Sequence, residues 1–516
     1  MNIHRVAIIG AGPSGLASLN ELLHTSKDGE STIRSFHAAE NNTPTNPAFE
    51  VVAFEQGSDI GGTWNYSHDT DPSVPGHSKP DKVRSALPVP EEIDNTTFDK
   101  PLPADSNITN INFWNKSGLY DNLFTNVPDK LMRFSAGLDL NPQSSPNSDN
   151  PYHPFVTRQH VSEYLHNFTE VNNLKEHIRF NSTVEKLYKK DNKWILNILV
   201  TEETGNKWYS ETFDAVMLCN GRFKIPFVPE IEGLDDFVDR NPDCVTHTKA
   251  FRDVTPYKGK KVLLVGSSIS AIDLLQYLIS ACKEVWLSSN STSPVKVNKE
   301  KNNNKEKPKE GQWIHDILHD ENLEFHRCSR IKRFEGDTVI FEDGSVEQFD
   351  KIIFATGYHL SYPFLNIPEN EGKNYINILS GKKGDDNHAM TKADGVYMYT
   401  FSVADPTLAF IGIAHTPLIF LMSELGAMAV AGVWSNCKQL PSVDEQERWC
   451  QEKLASSKDG LTMISENDFK SFVDELYPLA PKGRINFNDL IVNDEVELSR
   501  VVLKKLFYKY VNGELV

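Results

Sequence analysis

The sequence predicts an α/β fold: two domains built on parallel sheets, the second inserted into the first. Three observations predict it. Val6-Ala-Ile-Ile-Gly10-Ala-Gly12-Pro-Ser-Gly15-Leu-Ala-Ser-Leu reads as an apolar strand, a tight glycine turn and a helix. Lys260-Lys-Val-Leu-Leu-Val-Gly266-Ser-Ser268-Ile-Ser270-Ala271-Ile-Asp273-Leu-Leu repeats that order, with Gly266 lying 256 residues beyond Gly10. Asp350-Lys-Ile-Ile-Phe354-Ala-Thr356-Gly357-Tyr358 then runs a strand into another glycine turn, where the chain is expected to return to the first domain. Gly-x-Gly-x-x-Gly between a strand and a helix is the fingerprint of a dinucleotide-binding, Rossmann-like unit. The expected domains are therefore 1–235 and 351–516 for the outer unit and 236–350 for the inserted one.

Each element has its own local signal. The first strand begins within the opening residues, with no leader-type apolar run and small-residue cleavage site ahead of it. Residues 26–48 are rich in Asn, Thr and Ser and read as an inserted surface loop, after which Phe49–Phe54 resumes an apolar strand ending at Glu55. From Ser67 to Asn112, Pro, Asp and Asn dominate, which predicts irregular structure packed on a neighbouring domain. Val161, Tyr164, Leu165 and Phe168 recur at helical spacing, so Thr157–Val171 is a predicted helix. Strands follow at Trp194–Val200 and Phe213–Cys219. Pro294–Glu310 is a low-complexity loop with six lysines against three glutamates. The most apolar stretch, Leu408–Trp434, is interrupted by His415, Pro417 and Glu424, which are costly in lipid; it reads as a buried loop and core helix.

Composition excludes several classes. With 53 basic and 71 acidic residues the net charge is −18, and such a surface repels a nucleic-acid backbone. The six cysteines, Cys219, Cys244, Cys282, Cys328, Cys437 and Cys450, form no close pair, so a disulfide framework, a thiolate zinc site and a dithiol reductase are all disfavoured. Free thiols in a reducing compartment, the cytoplasm, are the expectation, with peripheral attachment to the endoplasmic reticulum and homo-oligomer formation left open.

The glycine turn has a mechanical rationale. Gly10 makes the turn, Gly12 lets backbone approach a pyrophosphate, and Gly15 brings helix against strand, with the helix N-terminus facing the anion. Glu55 stands where an acidic residue would hold ribose hydroxyls, the inserted loop explaining its distance from Gly15. The second unit reads Gly266-x-Ser268-x-x-Ala271, two small residues replacing glycines. Two dinucleotide units in one chain point to a flavin and a nicotinamide, between which hydride passes.

The ordered set of signals resembles the flavin-containing monooxygenases, class B flavoproteins, and most nearly their fungal branches. Those signals are Gly10–Gly15, then Glu55-Gln-Gly-Ser-Asp-Ile-Gly61-Gly62-Thr63-Trp64, Tyr120-Asp-Asn-Leu-Phe-Thr-Asn126-Val-Pro-Asp-Lys-Leu-Met132, Cys219-Asn-Gly221, His247–Arg252, Phe354–Tyr358 and Leu408–Gly412. The resemblance implies FAD in the outer unit and NADPH in the inserted one. Cofactor contacts then fall to Gly10, Gly12, Pro13, Ser14, Gly15, Glu55, Gln56, Gly62, Thr63, Trp64, Asn126, Val184, Gly266, Ser267, Ser268, Ser270, Thr356 and Gly357. It also implies that Asn126 is catalytic, that a C4a-hydroperoxyflavin forms, and that dioxygen oxygenates a soft nitrogen or sulfur nucleophile with no metal. The family fingerprint Phe-x-Gly-x-x-x-His-x-x-x-Tyr/Phe is matched only in its His247 and Phe251 half, since Asn241 and Asp243 occupy the first positions. Baeyer–Villiger relatives carry tryptophan at the place of Phe251, which leaves ketone oxygenation as the alternative and a flavin-binding redox sensor as a third reading. His247 alone reads as a structural histidine of the interdomain connection. For the NADPH 2′-phosphate the sequence leaves two readings open, contact with Lys296 or Lys299 and a solvated lysine-rich loop that touches no ligand.

Overall fold

A computed structural model describes the chain except residues 38–39, 72–85, 106–113, 138–149, 290–311, 371, 457–463, 465, 487–494 and 516. The lysine-rich loop, with Lys296 and Lys299, lies outside the described residues.

The outer unit is organised by a seven-stranded sheet. Its strands lie in the order Val396–Tyr397, Phe401–Ser402, Leu408–Phe410, Ala215–Leu218, Arg5–Ile9, Glu50–Phe54, Ile178–Arg179. The five from Leu408–Phe410 onward are parallel, and the two at the other edge pair antiparallel. Alternation along Arg5–Ile9 builds two cores. Val6 and Ile8 pack against the helices Pro13–Leu23 and Ile419–Trp434, and Ala7 and Ile9 pack against an antiparallel layer containing Trp194, Leu196 and Tyr209. That layer comprises Leu102–Pro103, Lys207–Phe213, Lys193–Val200 and Ser182–Lys190. Full burial of side chains such as Val6 and Ile8 contributes about 1.5–3 kcal/mol each.

The inserted unit repeats the scheme with a five-stranded parallel sheet in the order Val245–His247, Lys351–Phe354, Lys261–Val265, Glu284–Ser288, His326–Cys328. Val262 and Leu264 face the helix Ile269–Ala281; Leu263 and Val265 face the small antiparallel sheet Ile331–Glu335, Thr338–Phe341, Val346–Glu347. The boundary expected at residue 350 is corrected here. Lys351–Phe354 fills the gap between two strands of the second sheet, and the helix Glu495–Val511 lays Leu503, Leu506, Phe507 and Tyr510 against Leu274, Leu275 and Leu278 of the second unit. Part of the expected 351–516 return thus belongs to the inserted domain.

Other segments follow or amend the local readings. The helix predicted from Thr157 spans Arg158–Val171, and Leu408–Trp434 forms a strand, a turn and a buried helix. The 26–48 loop is partly buried: Ser31 and Ile33 are inside, and the Ser31 N–H donates to the Lys482 carbonyl at 2.8 Å. Within 67–112, Ile93 packs on Leu199 and Trp208 of the outer unit's own sheet, while Ser67–Asp69 are tied to the inserted unit through Arg252. Glu424, costly in lipid, is satisfied in protein: Arg484 bridges it at 2.8 Å to Glu21 at 2.7 Å, and the Ser135 N–H donates to it at 2.8 Å. Burial pushes the Glu21 carboxyl up against the downward pull of Arg484. Removing one member of such a buried set costs about 3–5 kcal/mol.

Candidate active site

Ile9, Phe54 and Cys219, at the carboxyl ends of adjacent parallel strands, open onto a cavity of about 630 Å³. That is the crevice where α/β sheets bind ligands, and its volume falls in the ~300–1,000 Å³ range of cofactor sites. Of the residues expected from sequence, Gly10, Gly12, Pro13, Ser14, Glu55, Gln56, Gly62, Thr63 and Val184 line it.

The three turn glycines do three different things. Gly10 has φ +101°, and a side chain there would meet the Cys219 carbonyl at 2.6 Å. A side chain at Gly15 would lie 1.9 Å from the Gly10 carbonyl oxygen, so Gly15 seats the helix on the turn. Gly12 differs. It is the N-cap of Pro13–Leu23 with extended backbone, and a Cβ there would make only an ordinary 3.5 Å contact with Gly62. Its open side is the cavity, at the positive end of the helix.

Glu55 is buried, and its carboxylate accepts the Ala11 and Gly57 N–H groups, each at 2.8 Å. Both oxygens retain a lone pair for a hydroxyl at the cavity wall. The Gln56 side-chain oxygen accepts from Lys224 at 2.5 Å, and Ser14 pairs with Ser423 at 2.9 Å. These features fit FAD: a glycine cradle a Cβ would fill, a helix N-terminus and a fixed carboxylate. Trp64 is only partly buried against the helical core and does not line the cavity.

Sequence reasoning missed the opposite wall. Trp114–Gly118 line the cavity and are held by the 247–252 stretch. Lys249 donates to Asp71 at 2.5 Å and to the Trp114 carbonyl at 3.0 Å, its ammonium lowered to about 8 by burial. Arg252 donates to six carbonyls, of Ser67, His68, Asp69, Ser117, Lys249 and Phe251, at 2.9–3.2 Å. No periodicity announces a guanidinium saturated by backbone; its only trace was its place in the family-like string. His247 caps the turn Thr248–Ala250 by accepting the Lys249 N–H at 3.1 Å, and burial lowers its imidazole to about 3. Phe251 stacks on Tyr257 inside the second core rather than lining the cavity.

The second turn is a structural echo of the first. A side chain on Gly266, φ +115°, would meet the Ala355 carbonyl at 2.5 Å, as one on Gly10 meets Cys219. Ala355-Thr356-Gly357 is therefore the counterpart of Cys219-Asn220-Gly221, with Gly357 and Gly221 both at positive φ. Thr356 donates to the Phe227 carbonyl. Ser268 is the exposed N-cap of Ile269–Ala281, Ser267 and Ser270 are half-buried beside it, and Ala271 is fully buried where the first turn admits no methyl. The second helix must stand farther from its turn.

Asn126 is exposed and outside the cavity lining, and its amide makes no hydrogen bond among the described residues. It belongs to the 120–132 segment, which docks on the inserted unit. Tyr120 donates to Asp273 of the second helix, and the Tyr277 hydroxyl donates to the Asn122 carbonyl at 3.2 Å. Burial raises the Asp273 carboxyl to about 6.

The flavin-binding monooxygenase-like family model matches residues 113–305 and 323–477. Flavin-containing monooxygenase iboF of Amanita muscaria is 27% identical over 490 residues, covering 86% of this chain and 80% of that one. Tmm from Pelagibacter sp. strain HTCC7211 superposes with TM-score 0.65 at 21% identity, covering 98% of this chain and 91% of that one. S-allyl-L-cysteine S-oxygenase from Allium sativum superposes with TM-score 0.59 at 23% identity, covering 100% and 94%. Two Rossmann-like units in nested order, the cavity at the first glycine turn and a family match across most of the chain lead to one conclusion: the chain belongs to the flavin-binding monooxygenase-like family.

Proposed function

We propose that the chain is an FAD- and NADPH-dependent monooxygenase that places one atom of dioxygen on a small, soft nitrogen or sulfur nucleophile. The balance is NADPH, a proton, dioxygen and the nucleophile going to NADP⁺, water and the N- or S-oxygenated product. The observation that carries the reading is the cradle at Gly12, Gly62 and Glu55, placed in the same chain as a second glycine turn of like build at Gly266. Sulfur oxygenation in the name of the Allium sativum relative supports the substrate class. FAD, when bound and reduced by NADPH, supplies the activation of dioxygen.

The chain's own groups do the rest. Glu55 orients a ribose, the Pro13–Leu23 N-terminus meets phosphate charge, and Lys249 and Arg252 fix the Trp114–Gly118 wall that limits water entry. Asn126 is assigned to the oxygen step, since its amide can both donate and accept. Ser268 and Ser270 are assigned to NADPH. The free, dispersed thiols support a cytoplasmic setting, and no described helix is long and apolar enough to cross a membrane. The test is anaerobic bleaching of the purified yellow protein by NADPH, then reoxidation in ¹⁸O₂ with a tertiary amine or a thioether. Label in the N-oxide or sulfoxide is expected. Bleaching followed by hydrogen peroxide alone, with both substrate types, would reject the assignment.

A further inference from the structure

A second, smaller cavity shares no lining residue with the first. It lies between the strand Met390–Asp394, the helix Val443–Ser456 and the turn Ile413–His415. Its lining carries three cations, Arg222, Lys392 and Lys453, and no carboxylate, in a chain of net charge −18. Arg222 is 8% exposed and donates one hydrogen bond, from Nη1 to the Ile413 carbonyl at 2.9 Å. Nε and Nη2 make none among the described residues. Thr391 Oγ1 and His415 Nδ1, of the same lining, are sealed from solvent and have no hydrogen-bond partner among the described residues, whereas the two Arg222 nitrogens are not sealed off. Asp394, next along the strand, turns its carboxylate to the Gly395 N–H at 2.8 Å.

A guanidinium on a buried residue with no counter-charge among the described residues is costly. An anion in the cavity supplies the missing counter-charge. We infer that this cavity is a binding site for a small anion, a halide or a single carboxylate group, held by Arg222 with Lys392 and Lys453 supplying further positive charge. The volume of about 30 Å³ leaves room for one or two water-sized groups and no more. Burial, with Arg222 beside it, holds the His415 imidazole at about 3, so the ring stays neutral and does not add to the positive charge. The Tyr399 wall has φ +52°, as has Met398 before it, a strained pair of the kind retained at binding sites.

Bromide is the probe, on the full-length protein at ionic strength held constant with methanesulfonate, which carries no carboxylate. Trp449 lines the cavity, so bromide should give a saturable component of tryptophan quenching. Arg222→Met should abolish it. The double variant Lys392→Gln/Lys453→Gln, altering half-buried side chains outside the core, should raise the half-saturation concentration about fivefold. In crystals soaked in bromide, an anomalous peak against Arg222 is expected. Competition by formate would show that the site takes a carboxylate end, and competition by chloride alone would show that it takes spherical ions; both support an anion site. Strictly linear quenching of the parent protein, or saturable quenching unchanged in the double variant, would overturn the proposal.

Discussion

Gly12→Ala should separate cofactor binding from folding. At Gly12 the added methyl makes a 3.5 Å contact with Gly62 and nothing closer, and the extended backbone suits any residue, so the fold should lose less than about 1 kcal/mol. The methyl takes up room at the cavity wall shared with Gly62, where the pyrophosphate of FAD would sit. Pushing the phosphate away forfeits one or two charge-assisted backbone hydrogen bonds, each about 1.5–3 kcal/mol, which weakens FAD binding roughly tenfold to several-hundredfold or more. Gly15→Ala is the control: its methyl would lie 1.9 Å from the Gly10 carbonyl, backbone against backbone, and should cost stability by about 1–3 kcal/mol or more. The assay pairs FAD titration of the apoprotein by flavin fluorescence with thermal unfolding followed by circular dichroism. Gly12→Ala should unfold like the parent and bind FAD poorly; Gly15→Ala should fail in both. Parent-like FAD affinity in Gly12→Ala, or equal destabilisation of the two variants, would refute the division of labour.

Asn126→Ala should still bind FAD and accept hydride from NADPH while shifting oxygen use toward hydrogen peroxide, by roughly tenfold to a hundredfold if one hydrogen bond to a polarised group is lost; unchanged coupling would remove its assigned role. Burial holds the imidazoles of His24, His247 and His415 at about 4, 3 and 3, below the ordinary 6.5 of the unfolded chain. The unfolded state therefore takes up protons first, and stability present above pH 6.5 is lost as pH falls, by roughly 2 kcal/mol per histidine at pH 5; a denaturant midpoint flat from pH 7.5 to 5 would contradict this. Asp273 works in the opposite sense. With its folded value raised to about 6, stability falls as pH rises from about 4 to 6, so Asp273→Asn should gain on the parent by roughly 2–3 kcal/mol between pH 4 and 7. Tyr120→Phe, which removes a donor to that carboxylate, should destabilise the protein by about 1–3 kcal/mol, more at pH 8 than at pH 5; equal loss at both pH values would show that Tyr120 acts through packing alone.

What sequence determined by itself was local. A glycine that must take positive φ, a strand of four apolar residues and a helix with a 3.6-residue stripe are set by neighbours a few positions away. Gly10, Gly266, Glu55 and the helix Arg158–Val171 were accordingly legible. The tertiary structure decided what depends on partners hundreds of residues distant. Lys351–Phe354 is an equally good strand for either sheet, and only the gap between Val245–His247 and Lys261–Val265 chooses. Gly12 and Gly62 stand apart in sequence and meet backbone to backbone in space. Arg252 and Arg222 look alike as residues following short landmark strings. One is saturated by six carbonyls and the other is buried almost bare, because hydrogen-bond supply is a property of the surrounding fold and leaves no period or spacing in the chain.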